Sequence, residues 1–258
     1  MIDAHIELPD GEESLNFLDE ALEFSGVTGV IVVQREPNQL ANQACLDLAN
    51  NSDGLVSGMV AWTPLADERL LKVQLDADRR EKPVCGYLAD IHHKNIEQWN
   101  SDEDVHHGVG LLAQIGKPLD LLLMPSQLPA ILPFLDAHAD SPLVIDHCFE
   151  DPVTTESFWP QLLREIGRRP HVYYRLSGLA PVANTETAYE ATESVKETFN
   201  AALEAFGPKR LLYASGWPLA QARYPVWLNT VDNLIHALSN DERAAIFGKN
   251  AEEIYVLS

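Results

Sequence analysis

The chain is predicted to fold as an α/β protein, a TIM (β/α)8 barrel, in a single domain spanning residues 1–258. Short apolar runs rich in Val, Ile, Leu and Tyr alternate along it with longer amphipathic segments, the pattern of β–α units feeding a parallel sheet. The length, 258 residues, suits an eightfold barrel of roughly 250 residues. A doubly wound open sheet would often carry a glycine-rich phosphate loop after an early strand, and no such loop stands in the sequence.

The elements follow in order. The strand candidates are Met1–Ile6, Gly29–Gln34, Leu55–Trp62, Val84–Asp90, Leu119–Met124, Leu143–Cys148, Val172–Ser177 and Leu211–Ser215. Most are β-branched or aromatic-rich and too short for buried helices. Helices are expected between them. Glu13–Phe24 places Leu15, Leu18 and Leu22 at near-helical spacing. Asn38–Ala49, Pro64–Arg79, Asn95–Ile115, Ser126–Ala139, Glu156–Arg168 and Glu190–Phe206 occupy the later gaps, and Pro225–Leu238 with Glu242–Ile246 completes the chain. No internal repeat or low-complexity linker divides it.

Composition excludes some partners. With 18 Lys+Arg against 39 Asp+Glu, the net charge is −21, which repels phosphate backbones and anionic lipid, so neither nucleic acid nor membrane is an expected partner. Hydrophobic residues make up 46%, enough for a packed core despite the charge. Cys45, Cys85 and Cys148 are widely spaced and odd in number, which argues against a disulfide framework and for a reducing compartment. The N-terminus Met1-Ile2-Asp3-Ala4-His5 lacks a basic or apolar leader, and no run approaches the roughly 20 apolar residues of a spanning helix. A cytoplasmic protein is the expectation. The sequence leaves its oligomeric state open.

In such a barrel, chemistry sits at the C-terminal ends of the strands. That filter retains His5 and Glu7, Gln34 and Arg35, Trp62 and Thr63, and Asp90, His92 and His93 from the first four strands. It adds Met124, Ser126, His147, Arg175, Ser177, Ser215, Gly216 and Trp217 from the rest.

Several of these positions fall in recognisable segments. Ile2-Asp3-Ala4-His5, Gly58–Trp62, Val144-Ile145-Asp146-His147, Arg175–Leu179, Phe206–Pro218 and Ile246–Tyr255 occur in an order and spacing that covers nearly the whole chain. Together they resemble the amidohydrolase-2 family of the metal-dependent hydrolase superfamily, particularly its L-fuconolactonase-like branch. The resemblance implies a TIM barrel, hydrolysis of a small lactone or related carbonyl compound, and a sugar-derived lactone as the small-molecule partner. It also exposes departures. The second histidine of the family's first-strand pair is Glu7, its eighth-strand aspartate is Gly216, and its fourth-strand arginine is missing from Gly86-Tyr87-Leu88-Ala89-Asp90.

The remaining residues support two kinds of site. His5, Glu7 and His147 form a two-His, one-carboxylate set of the ligand types that suit zinc or manganese. Without a tightly bound metal, Glu7 or His147 would activate water and Arg175 would hold the developing oxyanion. Trp62, Tyr87, His92, Ser177 and Trp217 are the expected substrate contacts. Strand alternation predicts that Asp3 and Glu7 share the face of His5, and that His147 points inward with Asp146 toward the helices. The reading is a lactonase-like hydrolase. The alternative is a catalytically inactive barrel that binds a ligand or regulates.

Overall fold

The computed structural model describes residues 1–8, 13–146, 159–177, 193–218 and 224–257. Among them, β1 (Ile2–Ile6), β2 (Gly29–Val33), β3 (Val56–Trp62), β4 (Val84–Asp90), β5 (Leu119–Leu122), β6 (Leu143–Asp146), β7 (Val172–Leu176) and β8 (Leu211–Tyr213) form one sheet in sequential order. Each neighbouring pair is parallel. Backbone bonds from Gly216 N–H to the His5 carbonyl (3.0 Å) and from Glu7 N–H to the Trp217 carbonyl (2.8 Å) bring β1 against the segment after β8. The (β/α)8 barrel predicted from the order of apolar runs is therefore the observed fold.

The helices are α1 (Glu13–Leu22), α2 (Gln39–Asn50), α3 (Glu68–Asp78), α4 (Ile96–Asn100), α5 (Glu103–Gln114), α6 (Leu128–Ala137), α7 (Trp159–Gly167), α8 (Glu193–Phe206), α9 (Tyr224–Leu234), α10 (Asn240–Ala244) and α11 (Asn250–Ile254). Side-chain caps set several starts: Asn38 accepts from Ala41 N–H, Asp67 from Leu70 N–H and Asn95 from Gln98 N–H. The helix expected over Asn95–Ile115 is two helices, because Asp102 accepts from Asp104 N–H and starts a new one. An internal Asp that binds its own downstream backbone competes with helix continuation. The closing helix α11 lies beyond the helix expected at Glu242–Ile246.

Two apolar layers follow from strand alternation. Inside the barrel, Ala4, Ile31, Val33, Val60, Leu88, Leu122, Val144 and Leu212 pack together, and Ala251, Ile254 and Tyr255 of the C-terminal segment join them. Outside, Val30, Val32, Ala61, Leu121, Ile145 and Tyr174 pack with helix residues such as Leu71, Val109 and Phe199. Burying each such aliphatic side chain contributes roughly 1.5–3 kcal/mol.

Three register shifts interrupt the alternation. They fall between Asp3 and Ile6, between Val30 and Ile31, and between Met59 and Val60. An extra residue in one strand turns every later side chain to the opposite face. In β1 this puts Ala4 and His5 on the inner side and returns Ile6 to the outer core. In β4, Cys85 and Leu88 are inside while Tyr87 and Ala89 face the helices. Among the described residues, no helix is long and apolar enough to cross a membrane.

Candidate functional site

The site is a file of alternating charges that climbs the barrel from its floor to its mouth. At the floor, the Tyr255 hydroxyl donates to Asp120 on β5 at 2.8 Å. Arg175 on β7 then bridges two aspartates, Nη2 to Asp120 Oδ2 at 2.6 Å and Nη1 to Asp146 Oδ2 at 2.5 Å. Asp146 on β6 reaches His5 Nδ1 at 2.9 Å and accepts from Ser177 Oγ at 3.0 Å. His5 Nε2 lies 3.3 Å from Glu7 Oε1. Arg35, just after β2, donates from Nη1 to the same oxygen at 3.1 Å and places Nη2 3.8 Å from Asp90 Oδ2. Asp90 Oδ1 contacts His92 Nδ1.

From Arg175 through Asp146, His5 and Glu7 to Arg35 the charges alternate in sign, which is what offsets the desolvation of ions inside a barrel, although the Arg175 guanidinium also lies 3.4 Å from His5 Nδ1 and works against a charge there. Burial alone would lower the pKa of His5, but the Asp146 carboxylate and the bond to Glu7 outweigh it and hold the ring up at about 9. The imidazole is thus doubly protonated at neutral pH, donating to a carboxylate from each nitrogen. Burial would raise Glu7, yet its bond to His5 and the charges of His5 and Arg35 bring it down to about 2. Asp120 goes the other way, to about 6, because burial exceeds the pull of Arg175. Burial also works against the charge on Arg175, but Asp120 and Asp146 keep its pKa above the usual arginine value.

Asp3 anchors the strand that carries this pair. Its Oδ1 accepts from the backbone N–H groups of His5 and Ser215, each at 3.0 Å, and its Oδ2 from the Tyr224 hydroxyl of α9 at 2.7 Å. Asp3 therefore latches β1 to β8 and the helix layer instead of sharing the inner face with His5 and Glu7, because the bulge in β1 separates them. Gly216 has φ 64° and hooks its N–H to the His5 carbonyl. The position left without a carboxylate contributes backbone to the barrel seam.

Other expectations meet the structure unevenly. His5 and Glu7 are together, as expected. His147 lies outside the described residues, as does Cys148. Asp146 points into the barrel and not toward the helices: Val144 and Asp146 are inward and Ile145 is outward. Arg175 is corrected as the oxyanion holder. It is 0% exposed, with Nη1 and Nη2 both occupied by buried aspartates, and so sits beneath the site. Tyr87 is corrected as a substrate contact, since it faces α3 and its hydroxyl donates to Asp78 at 3.1 Å. Ser177 is fully buried and its hydroxyl serves Asp146. Trp62, His92 and Trp217 stay at the mouth, each partly exposed.

Arg35, which stands at a strand end, is the cation that the structure brings to Glu7 at the mouth and that no family motif singles out. The resemblance marked an arginine as absent from β4. The structure brings a guanidinium from β2 to the end of β4 instead, beside Asp90. Asp120 had a signal too: a lone carboxylate in the apolar run Leu119-Asp120-Leu121-Leu122-Leu123 needs a buried partner.

As a metal site the described side chains fit poorly. A cation on His5 and Glu7 would have to displace the proton His5 presents to Glu7 and the Arg35 guanidinium on the same oxygen. Among the described residues, no three His, Cys, Asp or Glu side chains are grouped to hold one.

Comparison with known proteins finds relatives that match along most of the chain. An L-fucono-1,5-lactonase of Burkholderia multivorans is 29% identical over 240 residues, 88% of this chain and 80% of that protein. One from Burkholderia ambifaria is 28% identical, over 92% and 83% of the two chains. The crystal structure of an amidohydrolase from Burkholderia multivorans with bound HEPES superposes with a TM-score of 0.88 at 25% identity, covering 100% of this chain and 99% of that one. A second crystal form of that amidohydrolase contains zinc, with a TM-score of 0.86 at 25% identity and the same coverage. The amidohydrolase family itself matches over residues 8–257. A barrel of eight β–α units, polar residues gathered at its strand ends, and a family match over nearly the full length lead to one conclusion: the chain belongs to the amidohydrolase family.

Proposed function

We propose that the protein hydrolyses a small, sugar-derived lactone by direct attack of water, without a tightly bound metal. The observation that carries this is the Arg35–Glu7–His5 array at the mouth, a carboxylate and a guanidinium 3.1 Å apart above a fully buried His–Asp pair. Ester hydrolysis needs an acceptor for the water proton and a positive charge for the carbonyl oxygen as it becomes an oxyanion. Glu7 is ionised above about pH 2 and is partly exposed, so it can take the proton of a water held against it as the water oxygen bonds to the carbonyl carbon, and return that proton to the ring oxygen as the acyl C–O bond breaks. Arg35, also partly exposed, supplies the charge and then holds the carboxylate of the ring-opened product.

His5 keeps Glu7 oriented. Its ring is fixed from behind by Asp146, which Arg175 and Ser177 hold in turn. These are positioning residues. The relatives named as lactonases support the substrate class, and a zinc or manganese ion remains a testable addition to the site.

The test is turnover of L-fucono-1,5-lactone and related aldonolactones, with and without a chelator, by wild-type protein and Glu7→Gln. We expect hydrolysis that survives chelation and falls by about 10²–10⁴-fold in Glu7→Gln. Activity abolished by chelation and restored by zinc or manganese would replace the metal-free route. No turnover of any lactone, with or without metal, would favour the inactive, ligand-binding alternative.

A further inference from the structure

A cavity opens beside the charge file, between the ends of β3 and β4, α4 and the starts of α3 and α5. Its volume is about 590 Å³, within the roughly 300–1,000 Å³ of small-molecule sites. Leu65, Ala89 and Val105 in its wall belong to the outer core, so the cavity lies outside the barrel axis. One of its lining residues borders the proposed catalytic pair. Asp90 lines it and stands 3.8 Å from the Arg35 guanidinium that holds Glu7.

The lining has a specific chemistry. Trp62 offers an aromatic face, Asp90 and Asp102 are acceptors, and Lys94 and Gln98 are donors. The acids oppose an anionic occupant. A ring bearing many hydroxyls, each both donor and acceptor, matches this mixture, with its C–H faces against tryptophan. Thr63 supplies an independent observation. It lines the cavity and is 4% exposed, yet its hydroxyl has no hydrogen-bond partner among the described residues. A buried hydroxyl without a partner is costly; Thr63 Oγ1 has almost no exposed surface, so a ligand hydroxyl satisfies it once the side chain turns toward the cavity it lines.

We infer that this cavity is a subsite for a second, uncharged polyhydroxylated ring, so that the preferred substrate is a lactone carrying an attached sugar and not a bare monosaccharide lactone. The inference rests on the lactonase reading for the reacting ring, while the subsite itself binds without chemistry.

The experiment is isothermal titration with disaccharide alditols, which cannot be hydrolysed at a lactone: maltitol, lactitol and cellobiitol, each compared with sorbitol. At least one should bind about tenfold more tightly than sorbitol. Thr63→Val and Gln98→Ala should each erase most of that difference. Thr63→Val should leave the unfolding temperature unchanged or raise it, because an isosteric methyl replaces an unpaired hydroxyl. Loss of binding with gain of stability separates a ligand contact from a structural one. If no alditol is preferred over sorbitol, or if the preference survives both variants, the subsite is wrong. Preference for a disaccharide alditol with no turnover of any lactone would keep the subsite and remove the lactonase reading. Lactone turnover with no such preference would do the reverse.

Discussion

Replacing Arg175 by Met separates a structural cation from a catalytic one. The guanidinium is 0% exposed and bridges Asp146 and Asp120 at 2.5 and 2.6 Å. Met keeps the apolar length of the side chain and removes the charge. Asp120 then retains the Tyr255 hydroxyl, and Asp146 retains His5 and Ser177, but two carboxylates share a desolvated interior with no cation between them. Breaking a buried ion pair by removing one partner costs about 3–5 kcal/mol. For a domain of this size that corresponds to a fall of roughly 6–20 °C in the unfolding midpoint. Urea and thermal unfolding followed by far-ultraviolet circular dichroism at pH 7 read it directly. Some of the loss should return as the pH is lowered, because without the Arg175 charge that holds its pKa down Asp120 takes up a proton more readily than in the wild type and one buried charge disappears. Any loss of lactone turnover should accompany the loss of stability and be partly recovered in Arg175→Lys. An Arg175→Met protein as stable as wild type with kcat reduced a hundredfold would refute the reasoning and return Arg175 to the reacting atoms.

The other predictions concern the mouth and the helix layer. Arg35→Ala should lower kcat/KM by about 10²–10³-fold, the scale of removing an oxyanion donor, with unfolding nearly unchanged because the side chain is partly exposed; an unaffected kcat/KM would remove Arg35 from the mechanism. Tyr87→Phe should cost only about 1 kcal/mol of stability through its lost bond to Asp78, and a raised KM would show that Tyr87 reaches substrate after all. His5 links stability to pH. Its pKa rises from 6.5 to about 9 on folding, so its contribution, on the order of 3 kcal/mol, is complete below pH 6.5 and disappears as pH climbs through 9. In His5→Gln the fall in unfolding midpoint between pH 7 and pH 9.5 should be smaller than in wild type, and equal falls would mean that His5 is neutral when folded.

The order of the barrel and the zone of its chemistry are legible in the chain of residues alone. Eight apolar runs of the right length became eight parallel strands because local burial and periodicity act over five or six residues, and these runs carry that information completely. The same reading placed His5, Glu7, Arg35 and Asp90 at strand ends, and it showed that Glu7 and Gly216 depart from the family's pattern. The direction of individual side chains is visible only in the folded barrel. The apolar pattern predicts unbroken alternation, but extra residues in β1 and at the β3–β4 pairing shift it without leaving a mark in composition. Asp3 therefore turned to the helices and Tyr87 toward Asp78, while Asp146, on a strand whose own alternation is regular, occupied the inner face assigned in advance to its neighbour. Reach was the other hidden quantity. Arg35 is far from Asp90 along the chain and Arg175 is far from Asp120, yet each long guanidinium spans to another strand and closes an ion pair there. Such contacts depend on the curvature of the sheet and the depth of each side chain in it, which are properties of the closed barrel and not of any one of its segments.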